Sequence, residues 1–165
     1  MLWKIRSYKS LFKHTILINQ TKFTKNMNQQ VGVKAIIVNN NKILLIKRSQ
    51  NYEQLVDQWD IPGGRINFGE EPIIGLKREI LEETGLELKE VFDILDASTI
   101  FLSKDMHIVR ITYLVKCSGQ ISLSGEHTES KWFSLDEITF PLKYHLLQKV
   151  VDNLKKSRVL EQNEF

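Results

Sequence analysis

A chain of 165 residues, 42% hydrophobic and 26% charged, is long enough to bury a core without disulfides or a structural metal. Cys117 is the only cysteine, which excludes an intrachain disulfide, fits a reducing compartment and reads as a small apolar strand residue. The net charge of +3 hides an asymmetry, because residues 1–52 hold ten Lys or Arg and no Asp or Glu.

In chain order, the first segment is "MLWKIRSYKSLFKHTILINQTKFTKN", basic, rich in hydroxyls and free of acids. No apolar run in it reaches a signal-peptide core or a membrane span. It resembles an organelle-targeting peptide, or it precedes a true start at Met27. The second reading is preferred, because the periodic pattern begins within a few residues of Met27. Residues 1–27 are thus read as a basic extension and 28–165 as a single domain, with a cytoplasmic location and organelle targeting as the alternative. Nucleic-acid binding would need a folded basic face that the sequence does not display, so no nucleic acid and no membrane are expected as partners. A homodimer is allowed for.

"VGVKAIIV" (31–38) is rich in β-branched residues, "NNNK" is a turn signal, and "ILLIKRS" (43–49) reads as a partner strand. "NYEQLVDQ" is loop-like, and "WDIPGG" is a short extended piece ended by Pro62 and two glycines. Residues 71–84 read as a helix, with Pro72 tolerated in its first turn and Gly85 as its stop. Strands follow at 88–98 and 105–117, then a loop through 119–128, a strand at "SKWFSL" and an amphipathic helix over 143–157. The pattern predicts an α/β (α+β) domain, a mixed sheet packed by helices.

The central helix carries an unusual charge pattern. A 100° rotation per residue gives a core stripe of Ile73, Leu76, Ile80, Thr84, Leu81 and Ile74, with Glu79, Glu82 and Glu83 nearly opposite it. Gly75 lies beside the acids and leaves them space, at a cost of about 1 kcal/mol relative to alanine. No base follows these glutamates at the stabilising four-residue offset, and acids at a helix C-terminus oppose its dipole. Folding alone disfavours the arrangement, whereas a hard divalent cation with oxygen ligands favours it.

Gly64, five residues, Glu70, seven residues, Arg78-Glu79-Ile80, one residue, Glu82-Glu83, one residue and Gly85-Leu86 match the Nudix box without a mismatch. Chance would produce this in such a chain with odds on the order of 10⁻⁷. The flanks "VGVKAIIV", "WDIPGG" and "EHTESKWFSLDEI" also resemble that family, so the resemblance covers about Gln30 to Lys156. It implies the Nudix fold, a mixed β-sheet sandwiched between helices, and hydrolysis of a nucleoside diphosphate linked to another group, with Mg2+ or Mn2+.

By position, the resemblance implies that Glu82 and Glu83 hold the metal, helped by the Gly63 carbonyl. Glu79 is a further ligand or the base for the attacking water, and Arg78 holds a glutamate in place. Glu70 orients its neighbours or ligates, and Gly64 and Gly85 serve backbone geometry. A further loop carboxylate is expected before Trp132; Glu126 is preferred and Glu129 is the alternative. His127 between them reads as a loop histidine. Activity should need metal and lean alkaline, with the acids converging on an opening to solvent.

Substrate is less legible. Arg48 is a contact for phosphate or base, or else a solvated strand-end cation. Trp59 and Phe68 flank the site, as stacking partners or as core. Where ADP-ribose hydrolases resemble one another in a proline, this chain has "TIFLSKD". The tyrosine of dinucleoside polyphosphate hydrolases and the coenzyme A signature are missing too. Cleavage of a nucleoside triphosphate to the monophosphate and pyrophosphate, as in MutT-type enzymes, survives by elimination. Tyr144 stands where that group carries an asparagine for oxidised guanine, which counts against an oxidised purine. The alternatives are hydrolysis of a nucleotide sugar or other nucleoside diphosphate derivative, and a nucleotide-sensing Nudix domain without catalysis.

Overall fold

Asn40 and Asn41 have φ of 49° and 59°, the left-handed conformation that asparagine tolerates. The turn they make folds β1 (Asn28–Asn39) back on β2 (Lys42–Arg48) as an antiparallel hairpin. The computed structural model describes residues 28–50, 57–103, 106–139 and 145–157. The basic segment 1–27, most of the loop after Gln50, and 140–144 with Tyr144 lie outside the described residues.

The remaining elements are β3 (Trp59–Asp60), α1 (Pro72–Thr84), β4 (Glu87–Ser103), β5 (Met106–Ser118), β6 (His127–Ser134), a 3-10 turn (Leu135–Glu137) and α2 (His145–Ser157). The predicted elements are all present, with β1, β4 and β6 longer than expected, β2 and β5 shifted by one residue at their expected length, and β6 beginning at His127, inside the stretch read as loop. The strand order is β3-β2-β1-β5-β4, and β6 pairs with β2. β1 and β5 are parallel from Asn28↔Met106 to Ile37↔Val115, while the other pairings are antiparallel. The sheet is therefore mixed.

Side-chain alternation along β1 divides the core between the two faces. Val33, Ala35 and Ile37 pack with Tyr113, Val115 and with Leu76 and Ile80 of α1. Ile36 and Val38 pack with Leu114, Ile61, Phe133 and with Val150, Val151 and Leu154 of α2. One helix thus covers each face. Leu76 and Ile80 are fully buried, and each side chain contributes about 1.5–3 kcal/mol through burial.

Pro72 sits at the first helical position of α1, where its missing N–H is no loss. Gly85 closes the helix at φ 70°, its N–H donating to the Leu81 carbonyl. The buried face differs from the predicted stripe. Gly75, Leu76, Ile80, Glu83 and Thr84 are buried, while Ile73, Ile74 and Leu81 are exposed. The helix is rotated so that the glutamate side turns toward the sheet, and Glu83 lies inside instead of opposite the core.

Candidate active site

The site begins with a backbone ladder. Ala35 N–H donates to the Pro62 carbonyl at 2.9 Å, Val33 N–H to the Gly64 carbonyl at 2.8 Å, and Ile66 N–H to the Val31 carbonyl at 3.1 Å. Residues 62–66 therefore run beside β1 like a further rung, with the Gly63 carbonyl outside the ladder. Gly63 has φ 124°, and a Cβ there would lie 2.2 Å from the Val33 carbonyl oxygen. Only glycine fits. Its N–H donates to Glu83 Oε2 at 2.6 Å, which ties the loop to the last turn of α1.

That last turn is held from a second side. A helix leaves its final carbonyls unsatisfied, and here Ser122 N–H donates to the Thr84 carbonyl at 2.8 Å and Ser124 N–H to the Glu83 carbonyl at 3.3 Å. The same loop leads into β6 and brings His127 Nε2 to 3.8 Å from Glu83 Oε1. His127 is 7% exposed, so it is a buried neighbour of the acids and not the loop histidine expected. Burial, with Lys34 and Arg48 nearby, lowers its pKa to about 4, so it is neutral at pH 7.

Glu83 is 8% exposed. Burial raises its pKa to about 7 against the pull of Lys34 and the Gly63 N–H, with Asp60 and Glu79 adding to the rise. Nearby, Arg78 gathers the other carboxylates. Its Nε and Nη2 bond Glu70 Oε1 and Oε2, each at 2.9 Å, and its Nη1 bonds Glu79 Oε1 at 2.8 Å and Glu82 Oε2 at 3.0 Å. Nη2 also donates to the Arg65 carbonyl. The Arg78 bonds and the Asn67 N–H hold the Glu70 pKa at about 2, while those to Glu70 foremost raise that of Arg78. Glu70 is thereby committed to Arg78. The Glu82 side chain remains 57% exposed, whereas those of Glu79 and Glu83 are 14% and 11% exposed, so of these three acids only Glu82 is open to solvent.

A buried charge cluster lies behind the Gly loop. Asp60 Oδ2 accepts from Arg48 Nη2 at 2.8 Å and from Lys34 Nζ at 3.0 Å, and Lys34 also donates to the Ile61 carbonyl at 2.8 Å. Arg48 is thus a mostly buried partner of Asp60 (side chain 14% exposed) and not a solvated strand-end cation. Reading the sequence missed Lys34 and Asp60. A lysine interrupting the apolar run of β1 was the available signal.

The other predicted residues fall in different places. Glu126 is exposed in the turn before β6, its carbonyl accepting from Ser49 N–H at 2.9 Å. Glu129 faces Lys47 in the β2–β6 register, its carboxylate 3.9 Å from Nζ. Trp59 packs edge-on against Phe133, ring centroids 5.2 Å apart, within the core. Phe68 is fully exposed. Cys117 lines a separate cavity of about 570 Å³ with Asn39 and Trp132. Burial raises its pKa to about 12, so it is a thiol and not a thiolate.

As the side chains stand, no three His, Cys, Asp or Glu among the described residues are grouped to hold an ion. The donor chemistry fits a divalent cation nonetheless. Glu79, Glu82 and Glu83 supply hard oxygens, and one guanidinium now serves two of them. Gly64 keeps the space for this: a Cβ there would fall 2.5 Å from Glu79 Oε2. Gly64→Ala should fold and lower kcat by about tenfold or more through displacement of Glu79. Steady-state rates alongside circular dichroism would check it.

The family described as the NUDIX domain matches residues 28–154. The chain is 28% identical over 111 residues to a MutT-like protein of Streptomyces ambofaciens, covering 66% of each. It is 30% identical over 122 residues to an ADP-ribose pyrophosphatase of Methanocaldococcus jannaschii, 71% of this chain and 69% of the relative. It spans between 21% and 42% of the length of three further relatives. Among solved structures, a MutT NUDIX hydrolase from Burkholderia pseudomallei superposes with a TM-score of 0.66 at 30% identity, covering 76% of this chain and 97% of that one.

Proposed function

Because the chain belongs to the Nudix family of pyrophosphohydrolases, whose members generally use divalent metal ions, we propose that it hydrolyses a nucleoside triphosphate to the monophosphate and pyrophosphate with Mg2+ or Mn2+. The observation that carries this reading is Glu83, a carboxylate buried beside Glu79 on a helix whose C-terminal turn holds no base. Such a group is costly to ionise without a cation.

Glu82 and Glu83, with the Gly63 carbonyl and Glu126 in support, would hold the metal. The bound ion would screen the charge of the triphosphate and acidify a water. Glu79 takes the proton of the attacking water, whose oxygen bonds the phosphorus as the bridging P–O bond breaks and pyrophosphate leaves. Arg78, clamped by both oxygens of Glu70, sets the position of Glu79 and Glu82. Arg48 acts through Asp60 rather than on substrate. A small nucleotide substrate suits the cytoplasm. Among the described residues no helix is long and apolar enough to cross a membrane.

The ADP-ribose pyrophosphatase relative keeps a nucleoside diphosphate derivative as the second reading. A substrate panel decides between them: the ribo- and deoxyribonucleoside triphosphates, ADP-ribose and nucleotide sugars, read by coupled phosphate release with and without excess chelator. A triphosphate should give the highest kcat/KM, and chelator should abolish it. Turnover that survives chelation, or a panel led by ADP-ribose, would overturn the assignment.

A further inference from the structure

His127 is a buried titratable group to which the reaction assigns no part, and Ser124 ties it to the acids. Ser124 N–H donates to the Glu83 carbonyl at 3.3 Å, and the Ser124 carbonyl accepts from His127 N–H at 3.1 Å. The Ser124 hydroxyl lies 3.4 Å from His127 Nδ1. The imidazole is thereby anchored to the turn of α1 that it faces, with Nε2 3.8 Å from Glu83 Oε1. The other Glu83 oxygen, Oε2, accepts from Gly63 N–H at 2.6 Å.

The imidazole is neutral at pH 7, so one ring nitrogen carries its proton, and the surroundings select which. With the proton on Nδ1, the bare Nε2 lone pair would face the ionised Glu83 carboxylate, which is unfavourable. With the proton on Nε2, that N–H faces Glu83 Oε1 while Nδ1 accepts from the Ser124 hydroxyl. Only the second tautomer gives both nitrogens a complementary neighbour. At 3.8 Å the contact with Glu83 is one of dipole with charge rather than a hydrogen bond. It orients the carboxylate and leaves its charge in place. Arg78 differs, because its bonds to Glu79 and Glu82 offset their charge. A neutral donor orients an acid without competing with a metal ion for it.

We propose that His127 is a positioning residue for the metal site: Ser124 fixes its Nε2–H tautomer, and that N–H, with the Gly63 N–H, holds the Glu83 carboxylate ready for the ion. This rests on the metal-dependent hydrolase reading given above. His127 itself neither ligates the ion nor transfers a proton. Partners of this kind fix the orientation of a ligand, and losing one costs about 10- to 100-fold in metal affinity.

The test titrates Mn2+ into the full chain as wild type, His127→Leu and His127→Gln, without substrate, and follows the free ion by paramagnetic resonance. His127→Leu should raise the Kd for Mn2+ about 10- to 100-fold. His127→Gln should bind as wild type does, because its side-chain amide carries an N–H where Nε2 stood. Long-range proton–nitrogen NMR of the wild type in Mg2+ at pH 7 should place the imidazole proton on Nε2. An unchanged Kd in His127→Leu, a His127→Gln no better than His127→Leu, or a proton on Nδ1 would each overturn the proposal. The spectrum is read on the wild type, so the outcome does not hang on whether a variant folds. The two readings fail separately. A wild type that binds no Mn2+ removes the metal-dependent hydrolase and this role with it, whereas Mn2+ binding indifferent to His127 removes only the role.

Discussion

Glu83→Gln is expected to lower turnover by about 10²- to 10⁴-fold, the loss of several kcal/mol of metal-assisted stabilisation, while making the metal-free protein more stable at neutral pH. Burial is the leading reason that the folded-state pKa of Glu83 stands at about 7, against an ordinary 4.5. A carboxyl whose pKa rises on folding binds its proton more tightly in the native state, so its contribution to stability is present below 4.5 and is lost as pH climbs to 7. The shift corresponds to roughly 3 kcal/mol. Glutamine keeps an oxygen for the Gly63 N–H and never ionises. Melting curves in chelator should therefore nearly coincide at pH 5 and separate toward pH 8, with the variant higher. Turnover within tenfold of wild type would remove Glu83 from the chemistry; coincident melts at pH 8 would show that its burial carries no cost.

The second large effect lies behind the site. Asp60 is 2% exposed; burial alone would raise its pKa, but Lys34 and Arg48 outweigh it and bring the value to about 2. Asp60→Asn leaves two cations buried with no counter-charge, which costs about 3–5 kcal/mol. In a protein of this size that lowers Tm by roughly 6–20 °C. The wild type should show the linked pH dependence: with a depressed pKa, the stabilisation from Asp60 holds above 3.8 and fades as pH falls toward 2. Thermal denaturation of both proteins between pH 2 and 7 measures it. A variant that melts within 2 °C of wild type would mean that the cluster is solvated.

The fold was legible where local chemistry decides it. The asparagine turn, the β-branched strands, Pro72 and Gly85 each mark an element boundary by backbone preference. The acids of α1 were legible because their spacing opposes helix stability. What remained hidden depends on contacts remote in sequence. The rotation of α1 is set by Leu76 and Ile80 entering the β1–β5 face, and counting apolar residues placed Ile73, Ile74 and Leu81 there wrongly. Lys34 meets Asp60 across 26 residues, and His127 reaches Glu83 only because the β6 loop folds over the helix end. Helical spacing carries no trace of either. Arg48 illustrates the same limit: position alone does not tell a salt-bridged strand residue from a ligand contact.

The two N–H groups of Ser122 and Ser124 that close α1 join the most constrained part of the chain to a segment that would otherwise drift freely in length and composition. Inserting or deleting a residue between Gly119 and His127 would shift the Ser122 and Ser124 N–H donors away from the Thr84 and Glu83 carbonyls and free the last turn of α1 that carries Glu83. Divergence toward new substrates is therefore expected to spare this segment and to accumulate elsewhere around the rim.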